Sequence, residues 1–367
     1  MENHLKTQLE KFYNSKKIFL TGNTGFKGTW MNLMLEQMNA LVWGYALPLG
    51  NQRVPDQFYQ KVKPNVCGST FGDIADNDLT IRSIREFSPD IIFHLASHSS
   101  LNHSMEDPHY ILKTNMMGAL NILEAARQVP SVKAVIIVTS DKVYRNLDTD
   151  ICYKEDCPLG GDDPYATSKV CQELLTQCYS KTFFDGDQKV ATARASNVIG
   201  PGDYNLTRLF PYLVGEFTQN RVPYIRNPRT IRPWQSVMDV VTGYLLLGKY
   251  LYEMDEAHWK ETDTAFNFGP MEESFVTVEE MAKMVSHEFG NREFQIKDSL
   301  DQIKHEAQIL KLDSSKAICE LGWAPTETLS NCIHHSVQFA KREQAGEDIA
   351  RLSREFVIEY LRERRSS

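Results

Sequence analysis

Short, almost continuously apolar segments alternate with longer helical segments through the first half of this chain. Strands are predicted at 17–21, 41–46, 90–96, 134–140 and 190–195, and helices near 26–38, 77–87, 110–128 and 164–182. Strands that are apolar on both faces and separated by helices are typical of a parallel sheet covered on both sides. We therefore predict a doubly wound α/β (Rossmann) fold, which binds ligands at the carboxyl ends of its strands.

The second half of the chain has a different rhythm. After about residue 196, loops rich in Gly, Pro and Asn separate shorter elements, as in a smaller lobe that covers a ligand. We predict a Rossmann domain over 1–195, to which the chain returns near 237–268, and a substrate-binding lobe over 196–345. A tail helix is predicted over 346–367. Its basic RERRSS end suits a helix carboxyl terminus, and we expect it to be solvated.

Bulk composition restricts the partners. The net charge of −8 disfavours nucleic acid, whose phosphates favour a basic face. The seven cysteines include no CxxC pair, which indicates reduced thiols in a reducing compartment. The sequence shows no apolar signal segment and no run of about 18 apolar residues. We expect a cytoplasmic protein with no nucleic-acid partner, no membrane span and no metal site.

A glycine-rich segment at 21–28 (TGNTGFKG) directly follows the first predicted strand. Its glycines allow the backbone to approach a pyrophosphate, and the following helix offers free N–H groups and its dipole. The spacing is GxxGxxG rather than GxGxxG, so a plain tight turn is the alternative, but the position between strand and helix favours a dinucleotide site. The predicted cofactor contacts are Gly22, Thr24, Gly25, Phe26, Lys27 and Gly28.

The choice between NAD and NADP is left open by the second strand. That strand ends in Tyr45-Ala46-Leu47-Pro48, without the acidic residue that binds an adenosine ribose. Asp73 and Ile74 after the third strand are predicted to contact the adenine, although Asp73 is equally suited to cap the next helix.

Two motifs carry acid–base chemistry. The pattern YxxxK occurs at Tyr13, Tyr59 and Tyr165. Only the copy from Tyr165 to Lys169 opens a long predicted helix and follows a predicted strand that ends in hydroxyl residues. A lysine four residues after a tyrosine lies on the same helix face, and its positive charge favours deprotonation of the tyrosine. The second motif is 139–144 (TSDKVY), which follows the central strand.

The carboxyl and amine of Asp141 and Lys142 are costly to place beside a central strand without a reason. We predict that they form an acid–base pair facing the substrate, with a solvated turn as the alternative. Arginines suit phosphate oxygens because they donate in a bidentate fork. The candidate phosphate ligands of the second lobe are Arg194, Asn197, Arg208, Arg226, Arg229 and Arg232, of which we favour Arg232.

These motifs together resemble extended short-chain dehydrogenases/reductases that modify sugar nucleotides, and among them the CDP-glucose 4,6-dehydratases. The likeness covers most of the chain up to about residue 345. It is carried by TGNTGFKGTW (21–30), FHLAS (93–97), TNMMGALNILEAAR (114–127), TSDKVY (139–144), GGDDPYATSK (160–169), ARASNVIGPGD (193–203), IRNPRTIRPWQSV (225–237), FNFGP (266–270) and LKLDSSKA (310–317). The Ser-Asp-Lys sequence at 140–142 is its most discriminating part.

The resemblance implies NAD as cofactor and roles for residues matched to the family motifs. The implied catalytic residues are Ser140, Asp141, Lys142, Tyr165 and Lys169. Leu95, Ala96, Ser97 and Asn115 are implied at the cofactor, together with Tyr165 and Lys169. The sugar nucleotide is implied to contact Asn197, Arg208, Leu209, Tyr224, Arg226, Arg232 and His305. A homodimer through the helices near 110–128 and 164–182 is also implied.

The implied reaction is a redox-neutral dehydration. Tyr165, aided by Ser140 and Lys169, takes the C4 hydroxyl proton while hydride passes to NAD. Lys142 then removes the C5 proton, Asp141 protonates the departing C6 hydroxyl, and hydride returns to C6 to give a 4-keto-6-deoxy sugar. A dehydratase acting on GDP-mannose or UDP-N-acetylglucosamine, a 4-epimerase and a silent NAD-binding scaffold remain alternatives.

The sequence departs from the family pattern at 97–102 (SHSSLN), at 200–204 (GPGDY) and at Thr207. The family residues at these places hold the sugar and nucleotide. The departures therefore put the substrate in question more than the reaction.

Overall fold

The structure is a computed structural model that describes residues 3–51, 53, 55–99, 101–147, 150–184, 186–261, 263–297 and 310–363. Its strands are β1 (Lys17–Thr21), β2 (Leu41–Ala46), β3 (Gly68–Phe71), β4 (Ile91–His94), β5 (Ala134–Val138), β6 (Cys152–Tyr153), β7 (Lys189–Ala195), β8 (Asn197–Ile199), β9 (Tyr224–Ile225), β10 (Ile231–Ser236), β11 (Ala265–Phe268), β12 (Phe275–Thr277), β13 (Gln295–Ile296) and β14 (Lys311–Leu312).

The α-helices are α1 (Asn3–Tyr13), α2 (Phe26–Gln37), α3 (Gln57–Val62), α4 (Asn77–Phe87), α5 (Leu101–Glu106), α6 (Pro108–Leu112), α7 (Gly118–Gln128), α8 (Pro164–Thr182), α9 (Leu209–Thr218), α10 (Val237–Glu253), α11 (Glu256–Glu261), α12 (Val278–Glu288), α13 (Ser315–Leu321), α14 (Leu329–Gln344) and α15 (Ile349–Glu363). Short 3-10 helices lie at Asp141–Val143 and Glu272–Ser274, and a π-helical turn at Lys113–Met117 joins α6 to α7.

Seven parallel strands form the main sheet in the order β11-β7-β5-β4-β1-β2-β3. The strands form because their apolar side chains are buried on both faces, as in β5, where all five residues are buried. The chain runs from β1 outward to β3 and returns to β4 on the other side of β1. This reversal opens a crevice at the carboxyl ends of β1 and β4. The predicted doubly wound fold is confirmed.

The predicted elements agree closely with the observed ones. β1, β2, α4 and α8 have the predicted bounds. The strands predicted at 90–96 and 134–140 end earlier, as β4 and β5, because the chain leaves the sheet there to form loops at its carboxyl edge. The helix predicted at 110–128 is divided by the π-helical turn.

A second hydrophobic core lies in the carboxyl half of the chain. It is built from α9, α12 and α14 around a three-stranded sheet in the order β12-β10-β8. Leu213, Phe217, Met281 and Val337 are buried in it. This packing supplies the smaller lobe, whose residue limits stay a prediction.

The carboxyl-terminal helix α15 is part of the packed body rather than the solvated tail that we expected. Leu352, Val357 and Tyr360 are buried in the main core, and Arg354 Nε donates to Glu36 Oε1 on α2 at 2.8 Å. The helix is amphipathic, so burying its apolar face stabilises the fold. Residues 364–367 of the predicted tail lie outside the described part of the chain.

Within the described residues, no helix is both long enough and apolar enough to cross a membrane. The same residues contain no group of three or more His, Cys, Asp or Glu side chains arranged to hold a metal ion.

Candidate active site

Three loops meet at the carboxyl edge of the sheet, because β1, β4 and β5 are neighbours there. They are the glycine-rich loop after β1, the loop at 95–99 after β4, and the turn that follows β5. The helix α8 packs against this turn and carries the Tyr-Lys motif. The crevice therefore brings together the residues predicted at the cofactor and those predicted as catalysts.

The glycine-rich loop forms a cradle that side chains would fill. Gly22 has a φ of +69°, and a Cβ there would lie 2.7 Å from the amide nitrogen of Ala96. A Cβ on Gly28 would lie 2.2 Å from the carbonyl oxygen of Gly22. Helix α2 begins after Gly25 without a side-chain cap, so its first N–H groups can face a ligand. These features fit the pyrophosphate of a dinucleotide.

The loop after β4 is held against β1. Thr21 Oγ1 accepts from the amide of Ala96 at 3.1 Å, and the hydroxyl of Ser97 is buried without a hydrogen-bond partner among the described residues. Asn115, in the π-helical turn, binds both the amide and the carbonyl of His98 and also Ser168 Oγ at 2.8 Å. The Asn115 side chain thus positions this loop, whereas the Ser97 hydroxyl is available to a cofactor. Leu95 is partly buried beside them.

The structure excludes Asp73 as the cap of α4. Asp76, not Asp73, caps α4, because its side chain accepts from the amide of Leu79. Asp73 instead accepts from the amide of Ala75 at 2.9 Å, at the end of the outer strand β3. Ile74 is buried, and its carbonyl accepts from Asn121. Contact of Asp73 and Ile74 with an adenine stays a prediction.

The turn after β5 places Asp141 and Lys142 at the crevice. Ser140 Oγ donates to Asp141 Oδ1 at 2.9 Å and accepts from the amide of Lys142 at 3.2 Å. Asp141 is only 5% exposed, which excludes a solvated turn for its carboxyl group. Burial raises the pKa of Asp141, while the Ser140 hydrogen bond and the charges of Lys142 and Arg232 oppose this rise. The direction of this shift is the one that a general acid needs.

The Tyr-Lys motif faces this turn from the first two turns of α8. The helix starts at Pro164 and is capped by Asp163, whose carboxylate accepts from the amide of Ala166. The Tyr165 phenol lies beside the Ser140 hydroxyl. Burial raises the pKa of Tyr165 to about 12, and the nearby Ser140 hydroxyl acts in the opposite direction.

The Lys169 ammonium lies 6.0 Å from the centroid of the Tyr165 ring and donates to the carbonyl of Val138 at 3.0 Å. Burial lowers the pKa of Lys169 to about 7, with a further contribution from the charge of Lys27. The turn after β5 and the helix α8 thus supply a hydroxyl, a phenol, a carboxyl and two amines to one edge of the crevice.

A second cation, the half-buried Lys27, adds to this group. Its Nζ lies 5.7 Å from the ring centroid of Tyr244 on α10, and burial, together with the charge of Arg208, lowers its pKa to about 8. The negative charge of Asp141 acts in the opposite direction and raises the pKa of Lys27. Sequence reasoning assigned Lys27 only to the cofactor loop and missed Tyr244, whose fully buried hydroxyl has no partner among the described residues. An apolar helical pattern gave no signal for it.

The second lobe brings some of its predicted ligands to the crevice. Arg208 Nη1 lies 3.1 Å from Asp203 Oδ2, and its Nη2 donates to Ser99 Oγ at 3.0 Å, so Arg208 joins two segments that depart from the family pattern. Arg232 is near enough to influence Asp141, and Asn197 lies on the adjacent strand β8.

Other predicted ligands lie elsewhere. Tyr224 and Arg226 are exposed, and the guanidinium carbon of Arg226 lies 5.6 Å from the centroid of the Tyr224 ring. Leu209 packs against the second core. Arg194 is buried in an ion pair with Glu173, so its place in the phosphate-binding group is wrong. His305 lies outside the described residues.

Comparison with known sequences gives the family of the chain. A sequence model of the GDP-mannose 4,6 dehydratase family matches residues 19–336. A CDP-glucose 4,6-dehydratase from Salmonella typhimurium is 37% identical over 358 residues, which cover 96% of this chain and 98% of that protein. The chain belongs to the GDP-mannose 4,6-dehydratase family. The resemblance recognised in its motifs is confirmed.

More distant relatives are similar in sequence, and solved structures are similar in fold. A dTDP-glucose 4,6-dehydratase from Xanthomonas campestris is 26% identical over 287 residues, covering 73% of this chain and 77% of that protein. The structure of a dTDP-glucose 4,6-dehydratase from Streptomyces venezuelae with NAD bound has a TM-score of 0.75 at 22% identity and covers 90% of this chain and 98% of that chain. A UDP-glucose 4-epimerase from Thermotoga maritima has a TM-score of 0.76 at 21% identity, covering 90% and 100%.

The buried His94 beside the crevice should make the folded protein less stable as the pH becomes acidic. Its Nδ1 shares a hydrogen bond with Thr21 Oγ1 at 2.8 Å, and burial, with the charge of Lys169, lowers its pKa from 6.5 to about 3. Between these values the unfolded chain binds more protons than the folded protein, so the free energy of unfolding should fall as pH falls. We expect His94→Gln to flatten this slope in urea titrations across that window. The matched change at exposed His109 should leave the slope unaltered, and equal slopes in both variants would contradict the assignment to His94.

Proposed function

We propose that this protein is an NAD-dependent nucleotide-sugar 4,6-dehydratase that converts CDP-glucose to CDP-4-keto-6-deoxyglucose and water. The observation that carries the proposal is the buried Asp141, next to Lys142 on the turn that presents Ser140 to Tyr165. A sugar 4-epimerase needs no acid to expel the C6 hydroxyl, so Asp141 and Lys142 would be idle in it. The likeness to the Salmonella typhimurium CDP-glucose 4,6-dehydratase supports the choice of substrate.

The residues that fit the cofactor are those of the glycine cradle, the amino end of α2 and the buried Ser97 hydroxyl. Bound NAD supplies a two-electron acceptor that is restored at the end of each turnover, so the overall reaction loses water without net oxidation. We assign NAD because the cradle fits a dinucleotide and because the Streptomyces venezuelae dehydratase structure holds NAD.

The side chains of this chain move the protons. Tyr165, which lies beside Ser140 and near the Lys169 ammonium, takes the proton of the C4 hydroxyl. The C4 ketone makes the C5 proton acidic, and Lys142 removes it. Asp141 donates its proton to the C6 hydroxyl, which leaves as water. The two electrons taken from C4 would return to C6 as hydride, and Lys142 gives its proton back to C5, so that the 4-keto-6-deoxy sugar forms. Because burial raises its pKa, Asp141 is suited to hold that proton until the C–O bond breaks.

The sugar nucleotide is assigned to the crevice between the two lobes. Arg208 and Arg232, with Asn197, supply the polar groups on the side of the second lobe. Ser99 and Asp203, which hold Arg208, lie in segments that depart from the family pattern, and we expect any difference from the relatives in base or sugar preference to arise there. A dehydratase of another sugar nucleotide is therefore the second candidate. A silent scaffold is disfavoured because Ser140 and Lys169, which are proposed to act with Tyr165 at C4, both lie near it.

We also propose a homodimer in a reducing compartment. Helices α7 and α8 and their flanks expose Met117, Leu174 and Phe183, which are 40%, 52% and 45% exposed, and a second copy would cover such apolar side chains. Exposed thiols at Cys67, Cys152, Cys178 and Cys319 suit a cytoplasmic setting.

The test is to incubate purified protein separately with CDP-glucose, GDP-mannose, dTDP-glucose and UDP-N-acetylglucosamine, with and without added NAD, and to weigh the products. We expect CDP-glucose to lose one water. Loss of water from another donor would keep the reaction and replace the substrate. Intact donors in every case, with NAD supplied, would reject the proposed function.

A further inference from the structure

One buried ion pair joins the helix that carries the Tyr-Lys motif to the main sheet. Glu173 lies on α8, one turn after Lys169, and Arg194 lies on β7. Arg194 Nε donates to Glu173 Oε1 at 3.0 Å and Nη2 to Oε2 at 2.9 Å, and each side chain is only 4% exposed. Two parallel hydrogen bonds of this kind define orientation as well as distance.

The same ion pair holds both ends of the turn that carries Asp141 and Lys142. At the first end, Thr139 Oγ1, just before Ser140, donates to Glu173 Oε1. At the other end, the Tyr144 hydroxyl accepts from Arg194 Nη1 at 2.8 Å. The turn is thereby tied at both of its ends to residues that do not face the crevice.

Tyr144 has further anchors that keep its ring in place. Its hydroxyl donates to Asn267 Oδ1 at 2.7 Å, and Asn267 in turn donates to the carbonyls of Tyr153 and Asp313. The Tyr144 ring stacks on that of Tyr153 with a centroid distance of 5.1 Å and an interplanar angle of 24°. A ring fixed on its face and at its hydroxyl can hold the backbone to which it is attached.

We propose that Tyr144 is a positioning residue that, through the Glu173–Arg194 ion pair, sets the acid–base pair of the turn relative to the Tyr-Lys motif of α8. The inference rests on the proposed dehydration, in which Tyr165 and Lys169 serve oxidation at C4 and Asp141 and Lys142 serve loss of water. Misplacement of catalytic groups by about 1 Å can lower a rate about 100-fold. Tyr144 holds the end of the turn beyond Lys142, whereas Ser140, which serves oxidation at C4, lies at the other end next to Thr139. Loosening the Tyr144 end should therefore slow loss of water more than oxidation at C4.

The decisive variant is Tyr144→Phe, which removes one hydroxyl and keeps the ring. We expect kcat for release of water from CDP-glucose to fall about 10- to 100-fold, with KM little changed. Because oxidation at C4 continues, the near-ultraviolet absorbance of reduced dinucleotide should build up on the enzyme during turnover. A variant that was merely less stable would not show this signal.

Tyr13→Phe is the matched control, since the buried Tyr13 hydroxyl donates to the carbonyl of Leu245 at 2.7 Å, between α1 and α10. We expect it to keep kcat and show no build-up of reduced dinucleotide. If Tyr144→Phe fails to fold, Tyr153→Leu, which removes the ring that stacks on Tyr144, takes its place with the same expectation.

The two proposals fail in different ways. Wild-type protein that releases no water from any donor would reject the proposed function. Active wild type together with a folded Tyr144→Phe variant that keeps its kcat, or loses it without reduced dinucleotide, would overturn the positioning role alone.

Discussion

Replacing Asp141 with asparagine is expected to lower kcat for dehydration of CDP-glucose by about 10²- to 10⁴-fold, the usual contribution of a general acid. Asparagine keeps the size of the side chain and can still bind Ser140, but it has no acidic proton for the C6 hydroxyl. Lys142→Met removes the base and should cause a loss of the same order. The rate of water loss, followed by mass, measures both effects.

The control for these variants is Asp187→Asn. Asp187 carries an 85% exposed carboxylate and lies far along the chain from the turn. It pairs with Lys133. Its replacement should leave kcat unchanged. A loss of less than tenfold in either Asp141→Asn or Lys142→Met would remove that residue from the acid–base chemistry.

Removing the positive partner of the buried ion pair should give the largest effect on stability. Arg194→Met leaves the Glu173 carboxylate buried without its cation, and we expect the free energy of unfolding to fall by about 3–5 kcal/mol. Denaturation by urea measures the change. Adding Glu173→Gln to the same chain should restore part of the loss, because the uncompensated charge is then gone.

Arg351→Met provides the contrast on the surface. Arg351 Nη1 lies 3.0 Å from Glu355 Oε1 on α15, and its side chain is 56% exposed. Solvent screens such a pair, so the loss should stay below about 1 kcal/mol. Equal losses of unfolding free energy in Arg194→Met and Arg351→Met would show that the buried pair stabilises the fold no more than a surface pair does.

The main sheet and the cofactor loop could be predicted because their signals are local. Apolar runs of strand length and the glycines at 22, 25 and 28 depend only on neighbours in the chain, and the structure places them as expected. The choice of Tyr165 among three YxxxK copies rested on the preceding strand and the turn before α8, which are local as well. In the structure, the Tyr13 hydroxyl instead binds the carbonyl of Leu245, away from the crevice.

The roles of several polar residues could not be read from the chain, since they depend on partners far away in sequence. Arg194 was grouped with phosphate ligands because an arginine near the end of a strand gives no sign of its partner, which the fold supplies as Glu173. The tail helix was expected to be solvated because its amphipathic pattern does not show which surface covers its apolar face. Packing against α2 and α3 buries that face in the main core.

The sequence by itself determined the doubly wound fold, the dinucleotide cradle and the family of the chain, because strand hydrophobicity, glycine spacing and motif order are written in consecutive residues. The tertiary structure alone decided which groups meet. It brought Ser140 to Tyr165, Lys27 to Tyr244 and Arg194 to Tyr144. The physical reason is that burial and distance, which set the charge and orientation of these groups, arise only when separate elements pack together.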